Sequence, residues 1–287
     1  MKFKLFILGV TILFLNASCE KKMDHIFDEN PTERLNASVA NVYSKLQSNK
    51  NGWIIKYFPS NGLEFGGYTL FAKFNNSTDV SVEGDFTTLS AQVSTYTVAP
   101  GAGPILTFDT YNRIFHYFAL PGVFNREAAY QLPGFLSTQI GASNEGMKGE
   151  NDFLVTKVSS DSIVMEGRKS YNKIVLLPVK SDEASTIVAS YRAAVEKFHV
   201  FSNYMFEVGT ESFPATFATV ATKRALLIAG NTKPLAYRYT PVGLDFYTEY
   251  DVSGVKFREL KYVEPTDGYL KGYFTNDEGT IKLVPQS

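Results

Sequence analysis

The chain has 287 residues, with 28 Lys and Arg against 29 Asp and Glu and a formal net charge of −1. Such a balance offers no clustered basic face, so no nucleic-acid partner is expected. Cys19 is the only thiol and there are only three histidines, which excludes an internal disulfide or a thiolate metal site; neither a metal nor a cofactor is expected.

Lys2 and Lys4 precede an apolar run from Leu5 to Leu15, followed by Asn16-Ala17-Ser18 and then Cys19. The run falls short of the ~20 apolar residues that cross a bilayer, and small residues before the cysteine suit a peptidase. Residues 1–18 are therefore expected to be a lipoprotein signal peptide, with Cys19 lipidated as the first residue of the mature protein. The pattern departs from the usual one at Asn16, where Leu is expected. Glu20 is not the Asp that retains lipoproteins on the inner membrane, so the expected location is the outer membrane, lipid-anchored, on its periplasmic face or the cell surface. Residues 19–29 are polar and charged and read as a tether.

Asn30-Pro31-Thr32-Glu33 carries an N-cap, a first-turn proline and a capping-box glutamate, and Leu35, Val39, Val42 and Leu46 form one helical stripe. From Trp53 the apolar period becomes two. Strands are expected at Trp53 to Phe58, Tyr68 to Phe74, Asp79 to Glu83, Gln92 to Val98, Ile105 to Phe108 and Tyr111 to Phe118. Residues 119–150, rich in glycine and proline, form a long insertion without regular structure. Three further strands run at Phe153 to Val158, Ser162 to Gly167 and Lys173 to Leu177. Asn51-Gly52-Trp53 resembles the opening of lipocalins, but with different spacing, and Trp53 reads as a core residue.

The same order then begins again. Ser181-Asp182-Glu183 is expected to cap a second helix with the stripe Ile187, Tyr191, Ala194 and Phe198. Strands follow at Tyr204 to Val208, Ala215 to Val220, Ala225 to Ile228, Leu235 to Tyr239, Leu244 to Tyr250, Lys256 to Tyr262, Tyr269 to Phe274 and Ile281 to Val284. Lys173-Ile174-Val175-Leu176-Leu177-Pro178 nearly matches Thr280-Ile281-Lys282-Leu283-Val284-Pro285. The expected fold is thus mainly β with two helices. It comprises two tandem helix-plus-antiparallel-meander units, residues 30–178 and the shorter 180–287, each a curved sheet or a lipocalin-like barrel or half-barrel.

Motifs for catalysis are sparse. His25, His116 and His199 stand outside metal-ligand spacing of one another, and no His-Glu-x-x-His, Gly-x-Ser-x-Gly or phosphate-cradling loop occurs. As a strand, Tyr111 to Phe118 would place Tyr111, Arg113, Phe115 and Tyr117 on one face and His116 on the other. Tyr111, Arg113, His116 and Tyr117 are accordingly candidate ligand contacts, against ordinary sheet packing. The insertion, with Phe124, Tyr130, Leu132, Phe135 and Leu136, is the other candidate, because it is too apolar for a solvated linker. Asp245 with Glu249, or Glu83 with Asp85, could serve as paired carboxylates for glycoside hydrolysis, although solvated strand residues are the simpler reading. Asp277-Glu278-Gly279 reads as a hairpin turn rather than a calcium loop. Asp161-Ser162-Ile163 resembles an O-glycosylation signal of Bacteroidetes envelope proteins, with Ser162 as acceptor, or else a plain turn.

Several stretches resemble a family of uncharacterised Bacteroidetes outer-membrane lipoproteins, often associated with Sus-type nutrient-uptake systems. They are Ile26-Phe27-Asp28-Glu29-Asn30-Pro31-Thr32-Glu33-Arg34, Asn51-Gly52-Trp53, Gly67-Tyr68 leading to Phe74, and Asn151-Asp152-Phe153 with Asp161-Ser162-Ile163 and Gly167-Arg168-Lys169. The resemblance implies an envelope location and a place beside a nutrient transporter, and it carries no catalytic residues. The expected function is a non-enzymatic, monomeric lipoprotein, held to the membrane by its N-terminal lipid. It would bind a glycan or peptide ligand or an outer-membrane transporter complex. The alternative is a surface-anchored hydrolase acting on glycans or peptides.

Overall fold

A computed structural model describes residues 30–120, 145–218 and 224–286. The signal segment, Cys19, His25, the tether and the central part of the insertion, with its five named apolar residues, lie outside the described residues. Contacts divide the chain into residues 1–34 and 35–287, and everything between the barrels described below belongs to the second unit.

Helix α1 spans Pro31–Ser48. The Thr32 N–H donates to Asn30 Oδ1 at 3.0 Å, so Asn30 is the cap that its position before Pro31 predicts. Eight strands follow: β1 (Trp53–Tyr57), β2 (Tyr68–Phe74), β3 (Asp79–Gly84), β4 (Gln92–Pro100), β5 (Pro104–Phe108), β6 (Asp152–Val158), β7 (Ile163–Gly167) and β8 (Lys173–Pro178). Each pairs antiparallel with the next, and β8 returns to β1 with Trp53 opposite Pro178, which closes a barrel.

Helix α2 (Ile187–Phe198) leads into the second set: β9 (Asn203–Val208), β10 (Glu211–Phe217), β11 (Ala225–Ile228), β12 (Leu235–Thr240), β13 (Gly243–Val252), β14 (Val255–Val263), β15 (Tyr273–Thr275) and β16 (Ile281–Pro285). Strand β16 pairs with β9, Ile281 opposite Val208, closing a second barrel of the same strand order. The alternation that predicted these strands is the alternation of burial. Val80 and Val82 of β3 and Tyr204, Phe206 and Val208 of β9 face inward, while Ser81, Met205 and Glu207 between them are half-buried.

Aromatic side chains fill both interiors. Trp53, Tyr57, Tyr68, Tyr96, Phe108 and Phe153 are fully buried in the first barrel, and Phe206, Tyr237, Phe246 and Phe274 in the second. Their edge-on and tilted contacts, such as Tyr68 to Phe86 at 5.8 Å and Phe246 to Phe257 at 5.2 Å, suit the ring quadrupole. Each helix covers the same end of its barrel. Helix α1 inserts Val42 and Leu46, and the Trp53 indole N–H donates to the Leu46 carbonyl at 2.8 Å, which makes Trp53 the joint between helix and barrel. Helix α2 presents Phe198 to Tyr262 and Phe274, at 5.1 and 5.2 Å.

Three expectations are corrected. Tyr111 to Phe118 is not a strand; it is a turn followed by a 3-10 helix, Phe115–Ala119. Asn112 explains the difference. Its Oδ1 accepts the N–H groups of Ile114 and Phe115, both at 3.0 Å, and its Nδ2 donates to the Gln92 carbonyl, so a local Asx turn overrides the alternation. The second helix begins at Ile187 rather than after Ser181, because residues 181–186 run as turns in which the Glu183 carbonyl receives the N–H groups of Thr186 and Ile187. Tyr269 lies in a turn ahead of β15, not in the strand.

Candidate functional site

The barrels meet along a seam built on β1, β2 and β8 of the first and β12 and β13 of the second. Backbone hydrogen bonds cross it, from Gly67 N–H to the Tyr237 carbonyl at 2.9 Å and from Arg224 N–H to the Phe65 carbonyl at 3.0 Å. Gly66 has φ +69°, and a Cβ there would lie 1.9 Å from the Arg224 carbonyl oxygen, so only glycine permits this approach. Helix α2 seals one side. Its Tyr191 packs on Phe71 at 5.3 Å beside Ile54 and Val179, on the outer wall of the first barrel.

Within this apolar frame sit buried charges. Arg224 donates to Asp85 at 2.6 Å and to the Gly67 carbonyl, with its guanidinium 4.3 Å over the Tyr68 ring. Arg238 grips Asp245 through Nε at 2.7 Å and Nη2 at 2.6 Å, and its Nη1 reaches across the seam to Thr69 Oγ1 at 2.9 Å. Lys56 of β1 adds a third cationic contact to the same Asp245 oxygen at 2.9 Å. A buried charge without a partner costs several kcal/mol, so these groups fix how the two barrels meet. Burial alone pushes the Asp245 carboxyl up, but Arg238 and Lys56 outweigh it and hold its pKa below the ordinary carboxylate value.

Asp245 also lies on a cleft of about 190 Å³ opening between the barrels. Lys56, Lys173 and Arg258 supply its cations, and Phe58 and Tyr247 its aromatic wall, with ring centroids 4.8 Å apart. Tyr247 is held in place because its hydroxyl accepts the Lys173 N–H at 3.0 Å while its carbonyl accepts from Arg258 Nη2 at 3.2 Å. All three contacts to Asp245 fall on Oδ2, and Oδ1 has no hydrogen-bond partner among the described residues. The cleft thus sets two exposed cations, Lys173 and Arg258, beside an aromatic pair, with the clamped Asp245 in its lining.

Two larger openings are less suited to that role. One of about 510 Å³ is bordered by Asn61, Lys148, Lys169 and Ser170, but Lys148 already pairs with Glu64 at 3.5 Å and the Ser170 hydroxyl already donates to Glu150. Another of about 420 Å³ runs along Phe71, Lys73 and Glu83 beneath Ile187 and Val188, and there Glu83 pairs with Arg192 at 3.5 Å.

The residues singled out from sequence are dispersed. Tyr111 is exposed and lies 5.6 Å from the His116 ring, Arg113 and His116 are half-buried, and Tyr117 is fully buried against Phe86 at 4.8 Å, inside the first barrel. These four do not form one face. The Asn112 N–H donates to His116 Nδ1 at 3.1 Å, and burial lowers the pKa of the imidazole. His199 ends α2, its Nδ1 against the Val195 carbonyl at 2.9 Å. Ser162 closes the turn between β6 and β7, its hydroxyl 3.0 Å from that of Ser159. The 277–279 segment is a turn organised by Asn276, whose side-chain amide donates to Glu278 and Thr280.

Of the candidate carboxylates, Asp245 is clamped by Arg238 and Lys56, Asp85 pairs with Arg224, Glu83 with Arg192, and exposed Glu249 with Lys256 at 3.5 Å. Glycoside hydrolysis needs one carboxyl that keeps its proton, and at Asp245 the cations Arg238 and Lys56 favour the opposite. Sequence reasoning reached Asp245 but missed Arg238, Arg224, Lys56, Lys173, Tyr247 and Arg258. The available signal was Arg238 itself, a charge inside Leu235-Ala236-Tyr237-Arg238-Tyr239, a strand buried along its whole length.

No curated protein and no solved structure matches this chain. A model of the family described as Domain of unknown function (DUF4302) matches residues 23–264, a span that takes in both helices, the whole first barrel and the second as far as β14. The chain therefore belongs to that family of domains of unknown function.

Proposed function

We propose that this protein is a lipid-anchored, non-catalytic binding protein of the outer membrane, serving as an accessory of a nutrient-uptake system. The observation that carries the binding reading is the inter-barrel cleft, where exposed Lys173 and Arg258 and the Phe58–Tyr247 ring pair stand beside an Asp245 whose Oδ2 is already held by cations. Barrel interiors packed with aromatic rings favour recognition on outer surfaces over a lipocalin-style internal ligand. The ionised state of Asp245 favours recognition over acid catalysis.

The location rests on the leader sequence and Cys19. Among the described residues no helix is long and apolar enough to cross a membrane. Radiolabelled palmitate should label the wild type and not Cys19→Ala; equal labelling of both would remove the anchor. Ser162 is the proposed glycan acceptor, to be checked by a mass difference that disappears in Ser162→Ala. For binding, a thermal-shift panel of monosaccharides, oligosaccharides and short peptides should contain at least one compound that raises the melting temperature of the wild type but not of Lys173→Glu. A flat panel would count against the cleft as a binding site.

A further inference from the structure

We infer that His116 and Asn112 form an acid-sensitive clasp, in which protonation of the imidazole releases the turn that seats the 3-10 helix in the first barrel. None of the residues involved lines the inter-barrel cleft, so this property is independent of the binding reading.

The two side chains cap each other's backbone. Asn112 Oδ1 accepts the N–H groups of Ile114 and Phe115, and in return the Asn112 N–H donates to His116 Nδ1 at 3.1 Å. This is the logic of a capping box with a histidine in the place of its glutamate. An imidazole nitrogen accepts only while it carries no proton, so the bond selects the neutral ring with its hydrogen on Nε2. A proton arriving at Nδ1 turns the acceptor into a donor, and the Asn112 N–H loses its partner. The imidazolium would have the Asn112 carbonyl at 3.3 Å, but that oxygen already accepts the His116 N–H at 2.9 Å. Burial, which lowers the imidazole pKa, outweighs this carbonyl, which raises it, so the neutral ring is the favoured form.

The clasp holds a plug. Phe115, Tyr117 and Phe118 are at most 2% exposed in the first core, and the Phe118 carbonyl accepts the N–H groups of Met147 and Gly149. Around the clasp, its own segment brings Tyr111, with its ring 5.6 Å from the imidazole, and Arg113. Strand β4 brings Gln92 and Ser94, both bonded to Asn112 Nδ2, and Asp109, just after β5, is engaged by Thr97 at 3.2 Å. The unfolded imidazole titrates near 6.5 and the folded one lower, so on acidification the opened turn takes up its proton first. The contribution of the clasp is complete above about pH 6.5 and is lost as pH falls to and through the folded value.

Hydrogen exchange of the full-length protein tests this at about pH 7.5 and about pH 5, with each amide referred to its intrinsic rate at the same pH. Protection at Asn112, Ile114 and Phe115 should fall about fivefold or more in the wild type, the size of effect that one lost cap produces, while amides of β9 in the second barrel keep theirs. His116→Gln supplies an acceptor that does not titrate, and its protection at the same three amides should be equal at both pH values. Wild-type protection that ignores pH would overturn the clasp. An equal fall in His116→Gln would overturn it too, because the acid response would then belong to another group. Nitrogen-15 shifts of the imidazole give a second reading: Nδ1 without a proton at about pH 7.5 is expected, and Nδ1 already protonated there would overturn the assignment.

Discussion

The two barrels share strand order, closure and a helix over the same end, and differ at the opposite end. The second barrel turns back on itself there with left-handed glycines, Gly209, Gly230, Gly254 and Gly279 at φ +58°, +90°, +80° and +69°, whose Cβ positions face open space. At the corresponding end, the first barrel carries longer connections between β1 and β2, β3 and β4, and β5 and β6, and from the first two of these come Phe58, Phe65, Gly66, Gly67 and Asp85 of the seam. One barrel is close to the minimum that closes, while its twin spends extra chain on contact with a neighbour. The helices differ likewise: α1 packs on its own barrel, whereas α2 covers the second barrel and also lies on the outer wall of the first.

The largest effect is expected where that contact is charged. Asp85→Ala leaves the Arg224 guanidinium buried without its carboxylate and should cost about 3–5 kcal/mol in urea unfolding. Replacing both partners, Asp85→Leu with Arg224→Met, should recover most of that loss, because a buried pair exchanged for apolar side chains of similar size is close to neutral. If the double variant proved as unstable as the single, the seam would depend on the pair itself rather than on its being matched.

Glycines at the two ends sharpen the contrast. Gly66→Ala must accept a left-handed φ and a collision with the Arg224 carbonyl, and should lose roughly 3 kcal/mol or more. Gly230→Ala meets only the φ penalty, about 1–2 kcal/mol. Equal losses would mean that the barrels do not approach as closely as the Gly66 geometry requires.

A smaller effect is expected from pH. The Asp245 carboxyl has a lower pKa folded than unfolded, so near pH 4 the folded state binds fewer protons. Its stabilisation is complete above the unfolded value of about 3.9 and disappears as pH falls through the folded one. The wild type should therefore lose stability below about pH 4 more steeply than a variant in which Asp245 and Arg238 are both replaced by apolar residues. Parallel curves would remove Asp245 from the acid response.

The contrast also explains what could be read from the sequence. Strands with one buried face were legible from alternation alone, as Val80 and Val82 or Tyr204, Phe206 and Val208 show, because burial imposes a period of two on neighbouring residues. Tyr111 to Phe118 had the same alternation and misled, since the Asn112 side chain offers a local set of hydrogen bonds that periodicity does not register. The seam was illegible for another reason. Arg224 finds Asp85 across 139 residues and Arg238 finds Thr69 across 169, and no local pattern records such partners. Asp245 was noticed as a carboxylate, but its meaning lay in Lys56 of the other barrel.

The buried charges and α2 join two similar barrels into one body with a preformed cleft between them. Scanning calorimetry of the full-length protein tests this most directly. One cooperative transition in the wild type, splitting into two in Gly66→Ala, is the predicted result. Two separate transitions in the wild type, unchanged by Gly66→Ala, would contradict it and show barrels that unfold without reference to each other.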